Sequence, residues 1–456
     1  MLVYLIIFIV FFLVIGVGYT IAQTKRVTAP LRSEVKHVDW SKNAVIYEVN
    51  IRQFSKEGTF KSFENDLPRL KKLGIDILWI MPVTPIGVKN RKEPLGSYYS
   101  VKAYKGINPD FGTMDDFKHM VNSIHNSGMK VIIDWVPNHT SWDNDLVNTH
   151  PEYYMKDSIG KFVSAFDWTD VIRLDYKNPE LRNYMINTMK WWITETDIDG
   201  FRCDVAHMVP NDFWDQLRPE IDAVKPVFML AEADIPEQHL KGFDMSYDWK
   251  FFHIMNDIAK GKKNANDIIK HFNWVDSVYP GNSYLMEFTT NHDENTWNGT
   301  EYERLGQGAQ TFAVLAATLQ GMPLIYNGQE SGFNRRLKFF EKDSIDWENY
   351  SLTSFYQTLI SLKKRNIALW NGEEGGKIQR ISTNRDSSVF AFVREKNTQK
   401  VFVICNVSDK PKEIKFDNSL ISGNYLDIFT NEKKLIDQKL KLTLKPWQFF
   451  VFEKAD

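Results

Sequence analysis

The chain has 456 residues, of which 43% are apolar and 25% are charged. This composition is typical of a soluble globular protein with a large core, and the length indicates two or three domains. The 56 basic and 58 acidic residues leave a net charge of −2, and no run of Lys or Arg offers a surface for a phosphate backbone, which argues against nucleic acid as a partner. The only two cysteines, Cys203 and Cys405, exclude a disulfide framework.

The first 22 residues form an apolar segment with no charged side chain before Lys25. Its length suits either the apolar region of a signal peptide or a marginal membrane helix, and small residues around Ala22 would allow cleavage there. The segment lacks the basic start that is usual for a signal peptide, so an uncleaved membrane anchor stays open as an alternative. The sequence therefore predicts an exported protein that is periplasmic, extracellular or membrane-anchored, with residues 23–39 as a linker.

From about Trp40 onward, short apolar runs alternate with amphipathic helical stretches such as Phe63–Leu73 and Met114–Ser127. Eight such runs predict an α/β fold, the (β/α)8 TIM barrel, in which polar residues at the C-terminal ends of the strands form the active site. The eight runs are Ala44–Val49, Ile75–Ile80, Lys130–Asp134, Gly200–Asp204, Val227–Glu232, Phe243–Tyr247, Tyr284–Thr289 and Pro323–Tyr326.

The spacing of the runs predicts two additions to the barrel. Asp134 and Asp204 are about 70 residues apart, against about 30 for one βα unit, so a short lobe at 138–170 is expected after the third strand, within a barrel domain that spans 40–370. Beyond Trp370 the sequence alternates apolar and polar residues, as in Ser388–Val393 and Val401–Cys405. This pattern predicts a C-terminal all-β sandwich domain at 375–456.

The stretch from Asp199 to His207 contains the strongest candidate for catalysis. Side chains alternate along a strand, so Arg202 and Asp204 point to the same face. An arginine beside a carboxylate keeps it ionised and oriented, which is what a nucleophilic Asp requires. In isolation an Arg-x-Asp pair is usually a surface ion pair, but here it lies at the end of a predicted barrel strand. Asp204 is therefore the predicted nucleophile.

A carboxylate nucleophile works together with a second group that gives a proton to the leaving atom, and a carboxyl group on the neighbouring strand can supply that proton. Glu232 at the end of the next strand is the predicted acid, because the apolar residues before it and nearby negative charge would favour its protonated form. Asp134 and Asp293 also lie at or just past strand ends.

Four short motifs resemble those of the α-amylase family of retaining glycoside hydrolases, glycoside hydrolase family 13, and the resemblance covers nearly all of 40–456. Each motif is weak alone, but four of them at barrel strand ends are specific. The motifs are Asp134-Trp135-Val136-Pro137-Asn138-His139, Gly200-Phe201-Arg202-Cys203-Asp204, Glu232 in Leu230-Ala231-Glu232-Ala233, and Asn291-His292-Asp293.

The resemblance implies further site residues. Asp293 would be the third catalytic acid, and His139 and His292 would hydrogen-bond the sugar, with Arg202 also at the substrate. The distance to Phe111-Gly112-Thr113 matches Tyr99 to the sugar-stacking tyrosine of the family, although the adjacent Tyr98 is the alternative.

The function implied by the resemblance is hydrolysis of α-1,4-glucosidic bonds in starch-derived glucans or maltooligosaccharides, by an Asp nucleophile and a Glu acid/base. A cyclomaltodextrinase, α-glucosidase, transglycosylase or sugar isomerase of the same family would carry the same acids. A different class, the amino-acid transporter heavy chains, combines an N-terminal apolar segment with an amylase-like domain but lacks a full catalytic set.

Two departures from the family pattern concern calcium and substrate length. Many family members bind calcium through the motif asparagine, here Asn138, and an aspartate whose place is taken by Arg173 in this sequence. Because a guanidinium cannot ligate calcium, no metal or other cofactor is expected, although Asp143 or Asp145 could build a calcium site elsewhere. The Lys-His pair of starch-binding members is replaced by His207 and Met208, so maltooligosaccharides or cyclodextrins become as plausible as starch.

The apolar N-terminal segment leads to a prediction about the mature chain. We expect export to remove this segment, so that the mature protein begins near Gln23. Mass spectrometry of the protein purified from its own host measures this start directly. An intact Met1 would instead favour the membrane anchor.

Overall fold

The structure, a computed structural model, describes residues 32–347 and 349–455; the predicted export segment 1–22 lies outside them. Eight parallel strands close into a barrel in chain order, apart from the insertion after the third strand. They coincide with the eight predicted apolar runs, which confirms the TIM barrel. The barrel strands are β1 (Ile46–Val49), β2 (Ile77–Ile80), β3 (Lys130–Trp135), β6 (Gly200–Cys203), β7 (Phe228–Ala231), β8 (Met245–Tyr247), β9 (Tyr284–Glu287) and β10 (Met322–Tyr326).

The barrel interior is a packed core rather than a channel. Alternate strand residues point inward, as expected from the period of two, and large side chains dominate this layer, among them Trp79, Phe228, Tyr247 and Met286. The outward residues between them pack against the surrounding helices. The interior therefore supports the C-terminal ends of the strands, where the polar side chains lie.

The helices surround the barrel. The predicted helix Phe63–Leu73 is divided into two, because Pro68 lacks the N–H that would donate to the carbonyl of Glu64. The described residues contain no helix long and apolar enough to cross a membrane. The α-helices are Ile51–Phe54, Phe60–Glu64, Leu67–Leu73, Met114–Asn126, Leu146–Thr149, Pro179–Thr196, Asn211–Asp222, Trp249–Ala259, Ala265–Val278, Glu301–Leu305, Ala309–Thr318 and Thr353–Arg365.

A small lobe lies between β3 and β6. It contains a two-stranded antiparallel sheet of β4 (His139–Ser141) and β5 (Val171–Arg173), in which His139 pairs with Arg173. The lobe is attached to the loop after β2 through the Ser141 N–H, which donates to the carbonyl of Val101 at 3.0 Å. These contacts hold the lobe against the mouth of the barrel.

The C-terminal region is all-β, as predicted. A six-stranded antiparallel sheet packs with a two-stranded sheet on one face, and its other face packs against helices of the barrel domain. The strands are β11 (Ile378–Arg380), β12 (Val389–Lys396), β13 (Gln399–Asn406), β14 (Lys412–Lys415), β15 (Gly423–Asp427), β16 (Lys433–Ile436), β17 (Lys441–Leu444) and β18 (Phe449–Lys454).

One buried arginine joins the C-terminal sheet to the barrel domain. Arg394 on β12 is 1% exposed, and its guanidinium donates hydrogen bonds to the backbone carbonyls of Thr318, Leu319, Trp370 and Gly376. Thr318 ends a barrel helix, so the positive charge also lies at the negative end of the helix dipole. The guanidinium therefore satisfies four carbonyls that would otherwise be buried without a partner.

We expect Arg394→Ala to lower the free energy of unfolding by about 3 kcal/mol or more, because it leaves those carbonyls unsatisfied. The exposed Arg385 provides a matched control, since Arg385→Ala should change the same quantity by less than about 0.5 kcal/mol. Equilibrium urea unfolding measures both. Equal unfolding midpoints for the two variants would contradict this account of the domain junction.

Candidate active site

The polar residues of the site follow the C-terminal ends of four barrel strands. Asp134 lies in β3, Arg202 in β6, and Asp204 immediately after β6. Glu232 and Asp293 follow β7 and β9. Because the C-terminal ends of parallel strands meet at one rim of the barrel, residues far apart in sequence converge here.

Gly200 allows β6 and β7 to approach each other closely. Its φ is +155°, and a Cβ at this position would lie 1.9 Å from the carbonyl oxygen of Phe228 on β7. Only glycine allows this close approach. Past the strand ends, the Glu232 N–H donates to the Cys203 carbonyl at 3.0 Å, which holds Glu232 beside Asp204. The glycine of the motif therefore sets the spacing of the two predicted catalytic acids.

Arg202 is the central cation of the site. Its side chain is fully buried, and Nη1 donates to Asp134 Oδ1 at 2.9 Å and to Asp204 Oδ1 at 3.0 Å. Nη2 forms an ion pair with Glu232 Oε1 at 3.0 Å. Nε donates to the Tyr247 hydroxyl at 3.2 Å. One guanidinium thus holds three carboxylates in a fixed arrangement.

Asp134 anchors the opposite side of this arginine. Its Oδ2 accepts hydrogen bonds from the Trp79 indole at 3.2 Å and from the Tyr99 hydroxyl at 3.1 Å. Burial raises the pKa of Asp134 to about 6, although Arg202 opposes the shift. The carboxylate therefore acts as an acceptor that orients both Arg202 and Tyr99.

The two predicted catalytic acids interact through their charges. Burial, followed by repulsion from the Glu232 carboxylate, raises the pKa of Asp204 well above its usual range, while Arg202 opposes the rise. Glu232 Oε2 accepts a hydrogen bond from the Val205 N–H at 2.6 Å. Val205 has a φ of +38°, which is rare for a β-branched residue, and this turn directs its N–H toward Glu232. The Asp204 carboxyl therefore binds its proton more tightly than the neighbouring Arg202 alone would predict.

A second cation lies on the other side of the site. His292 Nε2 is 3.3 Å from Asp293 Oδ2, and Nδ1 contacts Glu48 Oε1. Burial alone would lower the pKa of His292, but Asp293 and Glu48 outweigh it and raise that pKa well above its usual range. In turn, His292 lowers the pKa of Asp293 despite its burial. His292 is thus a protonated imidazole that keeps Asp293 ionised.

Tyr99 forms one wall of the cleft above these acids. Its ring is stacked on His292, with centroids 5.6 Å apart, and its hydroxyl lies 2.8 Å from His292 Nε2. The adjacent Tyr98 points away, where its hydroxyl accepts a hydrogen bond from Asn50 Nδ2 at 3.2 Å. Of the two tyrosines that the sequence left open, Tyr99 is the one that faces the cleft.

The cleft has a volume of about 500 Å³, within the usual range for small-molecule sites. Arg202 and His292 lie behind its surface and contact the acids rather than the open space. The residues that line it are Lys92, Ser97, Tyr99, His139, Asp167, Trp168, Asp170, Val171, Asp204, Val205, Glu232, Asp293, Trp297, Phe339 and Phe340.

His139 faces the cleft from the lobe side. Its ring packs edge-on against Trp168, with centroids 5.4 Å apart. Burial lowers the pKa of His139 to about 4, so its imidazole is neutral at neutral pH. A neutral imidazole can both donate and accept a hydrogen bond, which suits contact with a sugar hydroxyl.

Several cleft and supporting residues were missed by sequence reasoning. Glu48 is an acid at the end of an apolar strand, so the strand-end rule applied to the other acids would have found it. Trp297 follows the Asn-His-Asp motif by four residues, which is a weak signal. Lys92 and Phe339 lie in loops without regular periodicity, and nothing in the sequence marks them.

A (β/α)8 barrel whose rim holds three carboxylates around a buried arginine has the fold and site of a glycoside hydrolase. Comparisons with known proteins agree. The family model "Alpha amylase, catalytic domain" matches residues 41–160 and 153–386. The model "Maltogenic Amylase, C-terminal domain" matches residues 380–451.

Individual relatives cover most of the chain. Alpha-amylase 2 of Dictyoglomus thermophilum is 26% identical over 89% of this chain and 76% of its own length. The crystal structure of a noncanonic maltogenic alpha-amylase from Thermotoga neapolitana has a TM-score of 0.83 at 29% identity, covering 91% of this chain and 100% of that one. An alpha-amylase from Lactobacillus plantarum has a TM-score of 0.82 at 30% identity with the same coverage.

The chain belongs to the α-amylase family of glycoside hydrolases. It is a glycosidase that hydrolyses O-glycosyl bonds in α-1,4-linked glucans. This finding confirms the enzyme class predicted from the four motifs and sets aside the transporter heavy chain, which is not an enzyme.

Proposed function

We propose that this protein is a retaining hydrolase of maltooligosaccharides in which Asp204 is the nucleophile, Glu232 is the acid/base and Asp293 is the third acid. The observation that carries the proposal is the contact of Asp204 and Glu232 with the same buried guanidinium, Arg202. This contact keeps two carboxyl groups close to each other and to the cleft, as a double-displacement mechanism requires.

In the first step, Asp204 attacks the anomeric carbon and the glycosidic C–O bond breaks. Glu232 gives its proton to the departing oxygen, so the products are a glycosyl ester on Asp204 and a free sugar. In this step Glu232 carries the proton and Asp204 is ionised, as an acid and a nucleophile must be. Arg202 Nη1 donates a hydrogen bond to the Asp204 carboxylate at 3.0 Å.

In the second step, Glu232 takes a proton from water, which attacks the same carbon and releases Asp204. Asp293 would accept hydrogen bonds from sugar hydroxyls, and His292 keeps Asp293 ionised for that role. Tyr99 provides a flat ring against the sugar, and His139 a neutral hydrogen-bonding group. Arg202 and His292 are positioning residues, since both lie behind the cleft surface.

Two features support a short substrate. The first is the size of the cleft, which is that of a small-molecule site. The second is the exposed His207, whose Nδ1 lies 3.4 Å from the Glu232 carbonyl. It occupies the position at which starch-binding members of the family often have a lysine. The match of the C-terminal region to that of maltogenic amylases agrees with this choice. Maltooligosaccharides are therefore the proposed substrates, and transfer to a sugar acceptor instead of water is the competing reaction.

Substitution of the two acids tests their roles separately. We expect Asp204→Asn to lower kcat for maltohexaose by about 1,000-fold or more, and Glu232→Gln to lower it by roughly 100- to 10,000-fold. With α-maltosyl fluoride, whose leaving group needs no proton, Glu232→Gln should retain the glycosylation step while Asp204→Asn should not. Rapid-quench kinetics with both substrates measures these rates.

The control is Glu237→Gln, which changes an exposed glutamate five residues after Glu232 and should leave kcat unaltered. Circular dichroism of all three variants should match the wild type, because each substitution keeps the side-chain shape. Near wild-type turnover by Asp204→Asn, or equal losses of both acid variants on the fluoride, would contradict the assignment.

We further propose that the enzyme needs no calcium. Arg173 takes the place of the family's aspartate ligand and pairs with His139, the residue after Asn138, and a guanidinium cannot serve as an oxygen ligand of calcium. The alternative ligand Asp143 is already engaged, because both its oxygens accept from the Val88 N–H and Oδ2 pairs with Lys102 at 3.6 Å. These bonds join the lobe to the barrel loop where a metal would otherwise do so.

Thermal unfolding with and without EDTA tests metal independence. A structural ion present at about 1,000 times its Kd would contribute about 4 kcal/mol, so its removal would lower the melting temperature by several degrees. We expect no change in melting temperature or activity. Arg173→Asp supplies an oxygen ligand and should make the melting temperature rise with added calcium. A large drop of the wild type in EDTA that calcium restores would overturn the proposal.

We also propose that the protein is exported, on the strength of the uncharged apolar segment before Lys25. Maltooligosaccharides formed outside the cell would then be its source of substrate. The start of the mature chain, measured by mass spectrometry as described above, decides between a secreted and a membrane-anchored enzyme.

A further inference from the structure

A loop and the lobe meet at one end of the cleft. Lys92, in the loop after β2, places Nζ 3.2 Å from Asp170 Oδ1 in the lobe. Both residues line the cleft that contains Asp204 and Glu232. The Asp170 side chain is 6% exposed and that of Lys92 is 35% exposed. The ion pair therefore belongs to the wall of the cleft rather than to the outer surface.

The loop that carries Lys92 is held at both ends. On one side, the Val88 N–H donates to Asp143 of the lobe. On the other, the Leu95 N–H donates to the Phe340 carbonyl at 3.1 Å, and Arg52 Nη1 donates to the carbonyl of Gly96 at 3.1 Å. The backbone on either side of Lys92 is therefore anchored, which keeps Lys92 within reach of Asp170.

The wall lies on the side of the cleft where the retained sugar would bind. Phe339, next to Phe340, stacks on Tyr99 at 6.3 Å and 13°, so the loop of Lys92 is continuous with the ring proposed to contact the attacked sugar. Glu232, which protonates the leaving oxygen, has the exposed His207 beside it instead. The leaving part of the substrate thus extends toward solvent, and the retained part extends toward the wall.

We propose that the Lys92–Asp170 ion pair closes the cleft behind the retained sugars, so that the enzyme cuts short pieces from the non-reducing end of a chain instead of cutting internally. This inference rests on the proposed function, which fixes where the retained sugar lies. A chain that continued beyond the wall would have to separate the two charges and displace an anchored loop. A free chain end would meet the Lys92 N–H donors that do not pair with Asp170 and the Asp170 carboxylate, which suit the terminal hydroxyl groups.

Two substrates that differ only at the non-reducing end test the proposal. One is maltohexaose, and the other is maltohexaose with a benzylidene group on O4 and O6 of its non-reducing glucose. We expect the wild type to show kcat/KM roughly tenfold or more higher for the free substrate, a typical size for steric rejection at a pocket. Anion-exchange chromatography of the products measures both rates and the length of the released piece.

Variants of the ion pair test whether it causes the preference for the free non-reducing end. The measured quantity is kcat/KM for the free substrate divided by kcat/KM for the blocked one. Lys92→Ala and Asp170→Asn should each lower this ratio toward one. Lys92→Arg keeps the charge and should keep a high ratio. Lys89→Ala is the matched control, because Lys89 lies over the Trp142 ring at 5.7 Å in the same loop but does not line the cleft. Its ratio should equal that of the wild type.

The outcomes separate the inference from the proposed function. A wild type that hydrolyses neither substrate contradicts the proposed function. A wild type that hydrolyses both equally shows an open cleft and overturns the inference alone, as does a folded Lys92→Ala whose ratio is that of the wild type.

Discussion

The active site depends on one buried guanidinium. Arg202 is completely removed from solvent, and a charge in that position is stable only when opposite charges and hydrogen-bond acceptors replace its hydration. Asp134, Asp204 and Glu232 provide three carboxylates, and each of them is itself held by a second donor or by the strand end from which it projects. Removal of Arg202 would leave the three carboxylates close together without a compensating cation, so their arrangement depends on this one side chain.

The aromatic core of the barrel completes this arrangement. The Arg202 guanidinium lies 5.0 Å from the ring of Trp79 and 5.7 Å from those of Tyr99 and Tyr247. These rings exclude water from the guanidinium, which strengthens its attraction to the carboxylates. Packing at the top of the barrel core therefore also supports the charges of the proposed catalytic acids.

The barrel strands carry the acidic side chains, whereas the loops and the lobe shape the cleft that the substrate enters. The acids project from strands whose geometry is set by the barrel, including the close approach at Gly200. Lys92, Trp168, Trp297 and Phe339 come from connecting segments that wall the cleft. Changes in these segments can alter which sugar chains enter without disturbing the carboxylates, which is consistent with the range of activities found on this fold.

Much of the fold and site was determined by local sequence. Eight apolar runs of strand length predicted the barrel because side-chain period and burial are local properties. The convergence of Asp204, Glu232 and Asp293 was expected because the C-terminal ends of barrel strands meet at one rim. Tertiary structure alone decided the contacts between distant segments. Glu48 meets His292, and Lys92 meets Asp170, only because barrel closure and the lobe bring those segments together. The folded loop also decided which of Tyr98 and Tyr99 faces the cleft, since adjacent tyrosines have identical chemistry and differ only in the direction in which the backbone points them.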